Sequence, residues 1–445
     1  MPEQRFKRKI YERLLAWKKE RDGKTAALIE GARRVGKSTI VRQFAEKEYQ
    51  SYILIDFSSA STETFNLFND ISDLDYIFLR LQLIYGVQLY ERKSVIIFDE
   101  VQLQPLARQA IKHLVADGRY DYIETGSLIS IKKNIKDIII PSEETRLKMY
   151  PMDFEEFKWA LGDFSTFPLL EKCFKEMVPL REAHRKLMRD FRLYVLVGGM
   201  PQSVNEYIET NNLSRVDAVK RDILNLYNED FYKIDPTGRL SMLFDAIPAE
   251  LNKNSARYKV SSVIGDSRNS KLSEILAALR ESMTVNMAYH VNDPNTGMAQ
   301  NKDLNRYKMF LADTGLFVTQ AFKDKDFTEN VIYNQLLSDK LSVNLGYVYE
   351  NAVAQMLRAS GNELFYYTFP TESGKHNYEI DFLLSRHNKL CPLEVKSSGY
   401  KSHVSLDVFY SKYSNRISER YLVYGKDLFR QDGVSYVPFY MVQFL

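Results

Sequence analysis

Apolar runs of strand length recur through the first third of the chain, and each ends in polar residues. These runs are Ala26–Ile29, Tyr52–Asp56, Ser94–Asp99 and Tyr120–Thr125. The intervals between them leave room for helices, and strands that alternate with helices are typical of a parallel α/β sheet with crossover connections. Residues 1–165 are therefore predicted to form a parallel sheet with helices on both faces.

Residues 166–330 are rich in helix formers. Gly198–Pro201 predicts a turn between two helices, because glycine favours a helix end and proline favours the first helical turn. Three short segments then have the spacing of a helix–turn–helix, namely 241–252, 260–265 and 272–280. The stretch 282–290 either completes that unit or enters a wing. We expect a helical, winged-helix-like middle region.

The winged-helix-like region offers three basic side chains for contact with DNA, namely Arg268, Lys271 and Arg280. In DNA-binding versions of this motif, one helix supplies the side chains that contact the bases. The basicity is modest here, and a packing module without DNA contact is the alternative interpretation.

The pattern changes again over residues 331–445. An amphipathic helix is predicted at 347–357, and strands are predicted at 365–369, 378–384 and 391–396. This order predicts a third domain, of α/β type. A chain of 445 residues agrees with about three domains.

The composition is that of an ordinary globular protein, with 45% hydrophobic residues, 27% charged residues and a net charge of +3. A net charge so close to zero excludes a global basic field, so any nucleic-acid surface must be local. Only two cysteines, Cys173 and Cys391, favour a reducing compartment. No signal-peptide pattern or membrane-length apolar run is present, so a soluble cytoplasmic protein is expected.

Residues 31–39 match the Walker A phosphate loop, between a predicted strand and a predicted helix. Glycines in this pattern let backbone N–H groups close around phosphate oxygens. Lys37 would reach the β- and γ-phosphates of ATP, and the Ser38 hydroxyl would coordinate Mg²⁺. The predicted ATP-binding residues are Gly31, Ala32, Arg33, Arg34, Val35, Gly36, Lys37, Ser38 and Thr39.

The run at 95–100 has the Walker B pattern, in which apolar residues are followed by two acids. Ligands of open parallel sheets bind at the carboxyl ends of the strands, where these two acids are predicted to lie. Asp99 is therefore predicted to hold Mg²⁺, and Glu100 to orient or deprotonate the attacking water.

Two hydroxyl residues follow each other closely at the end of the next predicted strand, Thr125 and Ser127. Either would reach the γ-phosphate or the water, and Ser127 is the preferred candidate. A turn with hydroxyl caps is the alternative interpretation. Arg33, Arg34 and Arg146 offer positive charge near the phosphates, but the sequence assigns no arginine finger.

Acidic residues and a lysine recur on the predicted strands of the last domain. Asp381 lies on one strand and Glu394 and Lys396 lie on the next, which is the arrangement of the PD-(D/E)xK nuclease fold. The period of two in a strand puts Glu394 and Lys396 on the same face. Asp381 and Glu394, with Glu350 from the preceding helix, would be Mg²⁺ ligands, and Lys396 would act on water or the scissile phosphate. A solvated strand face is the alternative interpretation.

Three further segments accompany these motifs, namely Met149–Phe157, Leu196–Pro201 and Lys308–Leu316. In this order, together with the Walker motifs and Glu124–Ser127, the chain resembles a large prokaryotic family of predicted AAA+-superfamily ATPases. Its members carry a C-terminal nuclease-like domain of unassigned function. The resemblance covers nearly the whole chain. It implies an ATPase core, a winged-helix-like middle region and a nuclease-like end. Thr145-Arg146 stands where the family often has Gly-Arg, so the role of Arg146 stays open.

The predicted organisation is thus an ATPase domain at 1–165, a middle region at 166–330 and a restriction-endonuclease-like domain at 331–445. We expect an ATPase that uses ATP and Mg²⁺, with its nucleotide state coupled to a domain that acts on or binds nucleic acid, DNA being the expected partner. The alternative is a nucleotide-dependent binding switch or scaffold whose nuclease fold is inactive. The sequence assigns no oligomeric state, and a homo-oligomer stays open.

Overall fold

The computed structural model describes residues 5–126, 141–253, 255, 257–265, 272–323, 337–338 and 346–445. The chain divides into two compact units. The first comprises Met1–Tyr150 with Glu281–Met283, and the second comprises Pro151–Arg280 with Thr284–Leu445. Among the described ranges, no helix combines the length and the apolar character that crossing a membrane requires.

A parallel sheet forms the centre of the first unit. Its described strands are β1 (Ala26–Glu30), β2 (Ser51–Asp56), β3 (Ser94–Asp99), β4 (Asp121–Gly126) and β5 (Glu144–Lys148). Their spatial order is β2-β3-β4-β1-β5, and each of these neighbouring pairs is parallel. This confirms the predicted parallel α/β fold. Because β3, β4 and β1 are parallel neighbours in this order, their carboxyl ends share one edge of the sheet.

Helices cover both faces of this sheet. They are α1 (Ile10–Arg21), α2 (Lys37–Glu48), α3 (Thr62–Asn66), α4 (Leu74–Tyr85) and α5 (Pro105–Asp117), with a short 3-10 turn at Val101–Leu103. Leu14 and Phe44 bring α1 and α2 into the core on one face. Phe78 and Ile111 bring α4 and α5 against Phe98 of β3 on the other face. Fully buried strands such as β1 depend on this double cover, because neither of their faces meets water.

The chain after the first sheet is largely helical. The helices are α6 (Phe154–Ala160), α7 (Thr166–Glu176), α8 (Glu182–Val197), α9 (Pro201–Thr210), α10 (Leu213–Ile234), α11 (Arg239–Asp245), α12 (Ile247–Asn252), α13 (Val260–Ile264), α14 (Leu272–Glu281), α15 (Thr314–Ala321), α16 (Gly346–Ala359) and α17 (Val404–Tyr413). The predicted turn at Gly198–Pro201 joins α8 to α9. Pro201 occupies the first turn of α9, where its missing N–H leaves no hydrogen bond unmade.

A mixed sheet occupies the second unit. Its described strands are β6 (Val285–Val291), β7 (Lys302–Leu311), β8 (Leu364–Pro370), β9 (Asn377–Arg386), β10 (Lys389–Lys396), β11 (Arg420–Tyr424), β12 (Phe429–Gln431) and β13 (Val434–Pro438). The spatial order is β12-β13-β11-β10-β9-β8-β6-β7. The stretch 282–290 thus contributes a strand that pairs with β8. The sheet therefore extends across the predicted boundary at residue 330.

Two of the glycine-containing segments noted in the sequence pack against each other inside the second unit. A Cβ atom on Gly315 would lie 2.5 Å from the Cα of Gly198, so the backbones approach closer than any side chain would allow. The Asp313 carboxylate caps α15 by accepting from the Leu316 N–H at 2.8 Å, and it also accepts from the Gly199 N–H. These segments therefore have a structural role that joins two distant parts of the chain.

Candidate functional site

The Walker A loop connects β1 to α2 at the carboxyl edge of the first sheet. Two of its residues, Arg34 and Gly36, have φ angles of 67° and 99°. These angles are in the left-handed region, which lets the chain turn tightly within the loop. Gly31 packs against the backbone, since a Cβ there would lie 2.5 Å from the Met149 carbonyl oxygen. Ala32 and Val35, which belong to the loop, are buried. The side chains of Arg33 and Arg34 are exposed.

Lys37 begins α2 and folds back over the loop. Its Nζ donates to the carbonyl oxygens of Gly31 at 3.0 Å and Ala32 at 3.1 Å. Burial lowers the pKa of Lys37, and the nearby carboxylates of Glu100 and Asp99 act in the opposite direction. The ammonium group is thus held inside the loop, where negatively charged phosphate oxygens would compensate for its lost hydration.

The two Walker motifs meet at Ser38 and Asp99. The Ser38 hydroxyl donates to Asp99 Oδ1 at 2.9 Å. A hydroxyl and a carboxylate at this spacing are the hard oxygen ligands that Mg²⁺ prefers, so the residues present fit the metal that the Walker motifs imply. Thr39 follows in the first turn of α2 and is half-buried.

Thr125, at the end of β4, organises the acids on β3. Its hydroxyl donates to Asp99 Oδ1 and accepts from the Glu100 N–H at 3.3 Å. Of the two hydroxyl residues considered from the sequence, Thr125 therefore contacts the Walker B pair. The preferred candidate, Ser127, lies outside the described residues.

Glu100 ends the Walker B motif in an unusual backbone conformation, with a φ of 54° in the left-handed region. Its carboxylate accepts a hydrogen bond from the Gln102 amide, two residues further along the chain. Gln102 was not among the site residues predicted from the sequence. Its position two residues after the second acid was the available indication. The Glu100 carboxylate, which is the candidate for activating water, is thus held by the Gln102 amide.

Arg146 lies on β5, at the far side of β1 from the Walker B acids in the strand order. Its guanidinium is 3.6 Å from Glu30 Oε1, and its side chain is 50% exposed. Glu30 immediately precedes the Walker A loop, so Arg146 is near the start of the loop and pairs with an acid there.

In the second unit, the register between β9 and β10 brings the predicted nuclease-type residues together. Leu393 pairs with Phe382, and Glu394 and Asp381 are the residues next to this pair on the two strands. Asp381 Oδ2 accepts from the Val395 N–H at 2.8 Å, and Lys396 Nζ lies 2.7 Å from Glu394 Oε1. The predicted grouping of a strand acid with Glu-x-Lys is therefore present as a spatial cluster.

A lysine and a further acid, both missed from the sequence, complete the cluster. Lys308 on β7 donates to Glu350 Oε1 at 2.8 Å and also to Glu379. Glu379 lies two residues before Asp381, on the same strand face, and that spacing was the available indication. Burial alone would lower the pKa of Lys308, but the carboxylates of Glu350 and Glu379 raise it well above its ordinary value.

The carboxylates themselves are close enough to share one cation. Glu350, Glu379 and Asp381 each place an oxygen within 4.8 Å of the other two. Burial and the neighbouring Glu350 carboxylate raise the pKa of Asp381. However, the Lys308 ammonium already lies among these oxygens, so the divalent metal implied by the nuclease resemblance does not fit the described arrangement.

Comparison with protein families divides the chain into three matched regions. Residues 23–158 match a family described as an AAA domain. Residues 188–326 and 345–442 match two further families, each described as a domain of unknown function. The family descriptions therefore name an AAA domain for the first region and give no activity for the other two.

Individual relatives are distant. An uncharacterized protein of Methanocaldococcus jannaschii is 24% identical over 221 residues, which cover 48% of this chain and 43% of that relative. A Walker-type ATPase of Pyrococcus abyssi is similar in structure, with 18% identity, a TM-score of 0.42 and coverage of 72% of this chain and 97% of that one. The RuvB Holliday junction branch migration motor of Thermotoga maritima shows 13% identity, a TM-score of 0.28 and coverage of 63% and 89%.

The AAA-domain match coincides with the parallel sheet, the phosphate loop and the acids of β3. Residues 23–158 therefore combine a match to the AAA-domain family with the parallel sheet, phosphate loop and strand-end acids described above.

Proposed function

We propose that this protein is a nucleotide-driven switch in which Mg²⁺ and ATP bind the loop at residues 31–39 and Glu100 promotes hydrolysis. Lys37 would contact the β- and γ-phosphates, exchanging its two carbonyl partners for phosphate oxygens. Ser38 and Asp99 would hold the metal. When bound, Mg²⁺ would bridge phosphate oxygens and offset the charge that develops on them.

The observation that carries this proposal is the 2.9 Å contact between the Ser38 hydroxyl and Asp99 Oδ1. It supports a single site built from both Walker motifs, with the buried Lys37 ammonium beside it. Glu100 would then take a proton from water or orient it, and it must first exchange the Gln102 amide for that water.

Steady-state ATP hydrolysis with Mg²⁺, combined with nucleotide binding measured separately, tests these roles. Lys37→Ala is expected to weaken ATP binding by about tenfold or more, because a charge-assisted contact is lost. Glu100→Gln is expected to lower kcat by about a hundredfold while ATP still binds, because a general base is lost. Lys47→Ala, at an exposed position on the same helix as Lys37, is the matched control and should leave both quantities unchanged.

In this proposal, the second unit is the effector of the switch, and it binds or acts on nucleic acid. A second candidate function, metal-dependent cleavage of DNA, is favoured by the contact between Asp381 and the Glu-x-Lys strand. The Lys308 ammonium opposes it, because cleavage would require that group to leave the carboxylates. Plasmid nicking in Mg²⁺ or Mn²⁺ that is lost in both Asp381→Ala and Lys396→Ala would favour cleavage over a binding role.

A further inference from the structure

Lys308 lies inside a group of acidic side chains contributed by three separate elements. Glu350 comes from α16, Glu379 and Asp381 come from β9, and Lys308 comes from β7. The Lys308 side chain is only 7% exposed, and its ammonium contacts both Glu350 and Glu379. One oxygen of each of the three acids lies within 4.8 Å of the other two, which is the spacing of ligands around a single cation.

A fourth acid gives an independent indication that a cation belongs here. Glu394 is 5% exposed, and its Oε2 is buried without a hydrogen-bond partner among the described residues. Glu394 and Asp381 adjoin the Leu393–Phe382 pair of β10 and β9, and the Glu394 charge acts on Asp381, so the oxygen without a partner belongs to a residue beside the cluster. A buried carboxylate oxygen without a donor is costly, and a nearby cation would satisfy it.

The charges explain why the cluster holds a lysine. Four carboxylates repel one another in a partly dehydrated site, and their negative charge must be offset by a cation. Lys396 pairs with Glu394 at the edge, where the Lys396 side chain is 31% exposed. Lys308 is the buried ammonium, and it contacts Glu350 and Glu379. Its neighbours on the strand, Tyr307 and Met309, are themselves buried and hold the backbone of Lys308 in place.

We propose that the Lys308 ammonium is the resident cation of this cluster, occupies the position of a divalent metal and thereby keeps divalent metals out. Removal of its charge would open a divalent-cation site formed by Glu350, Glu379 and Asp381, with Glu394 beside it. This inference goes beyond the ATPase function and does not depend on it. The Walker site lies in the other unit of the chain.

The test is a titration of the full chain with Mn²⁺ alone. The protein is first treated with a chelator, and no nucleotide is present. Binding is measured by calorimetry and by the electron paramagnetic resonance of free Mn²⁺. The wild type should show no site that depends on Asp381, so wild type and Asp381→Asn should bind equally. Lys308→Gln should gain one site, at least about tenfold tighter than any wild-type binding, because one ammonium no longer competes. The double variant K308Q/D381N should lose that site, and Lys308→Arg should not gain it.

Lys158 provides a matched control in the same unit. It is equally buried, with 7% of its side chain exposed, and it pairs with the two carboxylates of Asp163 and Asp190. Lys158→Gln therefore also removes a buried ammonium that pairs with acids, but it leaves two carboxylates rather than the three of the proposed site with Glu394 beside them. It should gain no Mn²⁺ site in the same concentration range.

Three results would overturn the proposal. One is a Mn²⁺ site in the wild type that Asp381→Asn abolishes. Another is a folded Lys308→Gln variant that binds no more Mn²⁺ than the wild type. The third is an equal gain in Lys158→Gln. If Lys308→Gln is unfolded without metal, Mn²⁺ must restore its circular dichroism and raise its Tm, and failure to do so also overturns the proposal. None of these readouts involves ATP, so they separate this inference from a failure of the ATPase assignment.

Discussion

The Ser38 hydroxyl and the Asp99 carboxylate lie 2.9 Å apart, although 61 positions separate them in the chain. Ser38 is in the first turn of α2, and Asp99 is the last residue of β3. The two meet because β1 and β3 are parallel and only β4 separates them, so the loop after β1 and the end of β3 lie at the same edge of the sheet. The contact therefore depends on the strand order as much as on the motifs.

Loss of either partner should affect the metal-dependent step. If these residues hold the metal as proposed, we expect Ser38→Ala and Asp99→Asn each to lower Mg²⁺-dependent ATP turnover by about tenfold or more. The first variant removes an oxygen ligand, and the second removes the negative charge of the carboxylate ligand. Turnover measured across a Mg²⁺ titration checks this. Ser165→Ala is the control, since the Ser165 hydroxyl also contacts an aspartate, Asp163, at 3.3 Å but lies in the second unit. Unchanged Mg²⁺ dependence in both Walker variants would contradict the assignment.

Thr125 is expected to act as a positioning residue. Its hydroxyl joins Asp99 to the backbone of Glu100, so Thr125→Val should slow hydrolysis by about tenfold while the Kd for ATP changes little. Thr125→Ser keeps the hydroxyl and should restore most of the rate. Measured kcat and Kd distinguish this from a structural role, because a loss of folding would lower binding as well.

Gly199 should be intolerant of a side chain. A Cβ there would lie 2.0 Å from the Met152 carbonyl oxygen, so Gly199→Ala is expected to destabilise the second unit by about 3 kcal/mol. Thermal and urea unfolding measure the loss. Gly425→Ala is the matched control, since its nearest neighbours are side-chain atoms at 3.8 and 3.9 Å, which is ordinary contact. Equal stabilities of the two variants would show that the backbones can separate at no cost.

Lys220 should make stability depend on pH. It is fully buried, donates to the Leu196 carbonyl at 2.7 Å, and burial lowers its pKa from 10.5 to about 8. Because the pKa in the folded state is the lower one, the unfolded state binds more protons between these two values. Stability from this group therefore rises with pH across that window.

Comparison with Lys220→Met isolates this contribution, because other titrating groups are common to both proteins. The difference in unfolding free energy, wild type minus variant, should increase by about 1.5 kcal/mol between about pH 8 and pH 9.5. Urea unfolding at the two pH values measures it. A difference that stays constant or falls would show that Lys220 does not titrate in this range.

The sequence predicted the first unit well because its information is local. Walker A occupies nine consecutive residues between a strand and a helix, and the acids of Walker B end an apolar run. The choice between Thr125 and Ser127 illustrates the limit, since the contact of Thr125 with Asp99 depends on how β4 pairs with β3, and Ser127 lies outside the described residues. Strand alternation alone does not rank two hydroxyls that lie two positions apart.

The chain by itself determined the phosphate loop, the Walker B acids and the Glu-x-Lys strand, because each is a short pattern whose chemistry follows from its own spacing. Only the tertiary structure decided that β6 and β7 extend the second sheet and that Lys308 lies among the carboxylates. Lys308 is 42 positions from Glu350 and 71 from Glu379, and it meets them through strand pairing and helix packing. Which cation offsets a partly buried cluster of acids is decided by such long-range packing, which no local pattern contains.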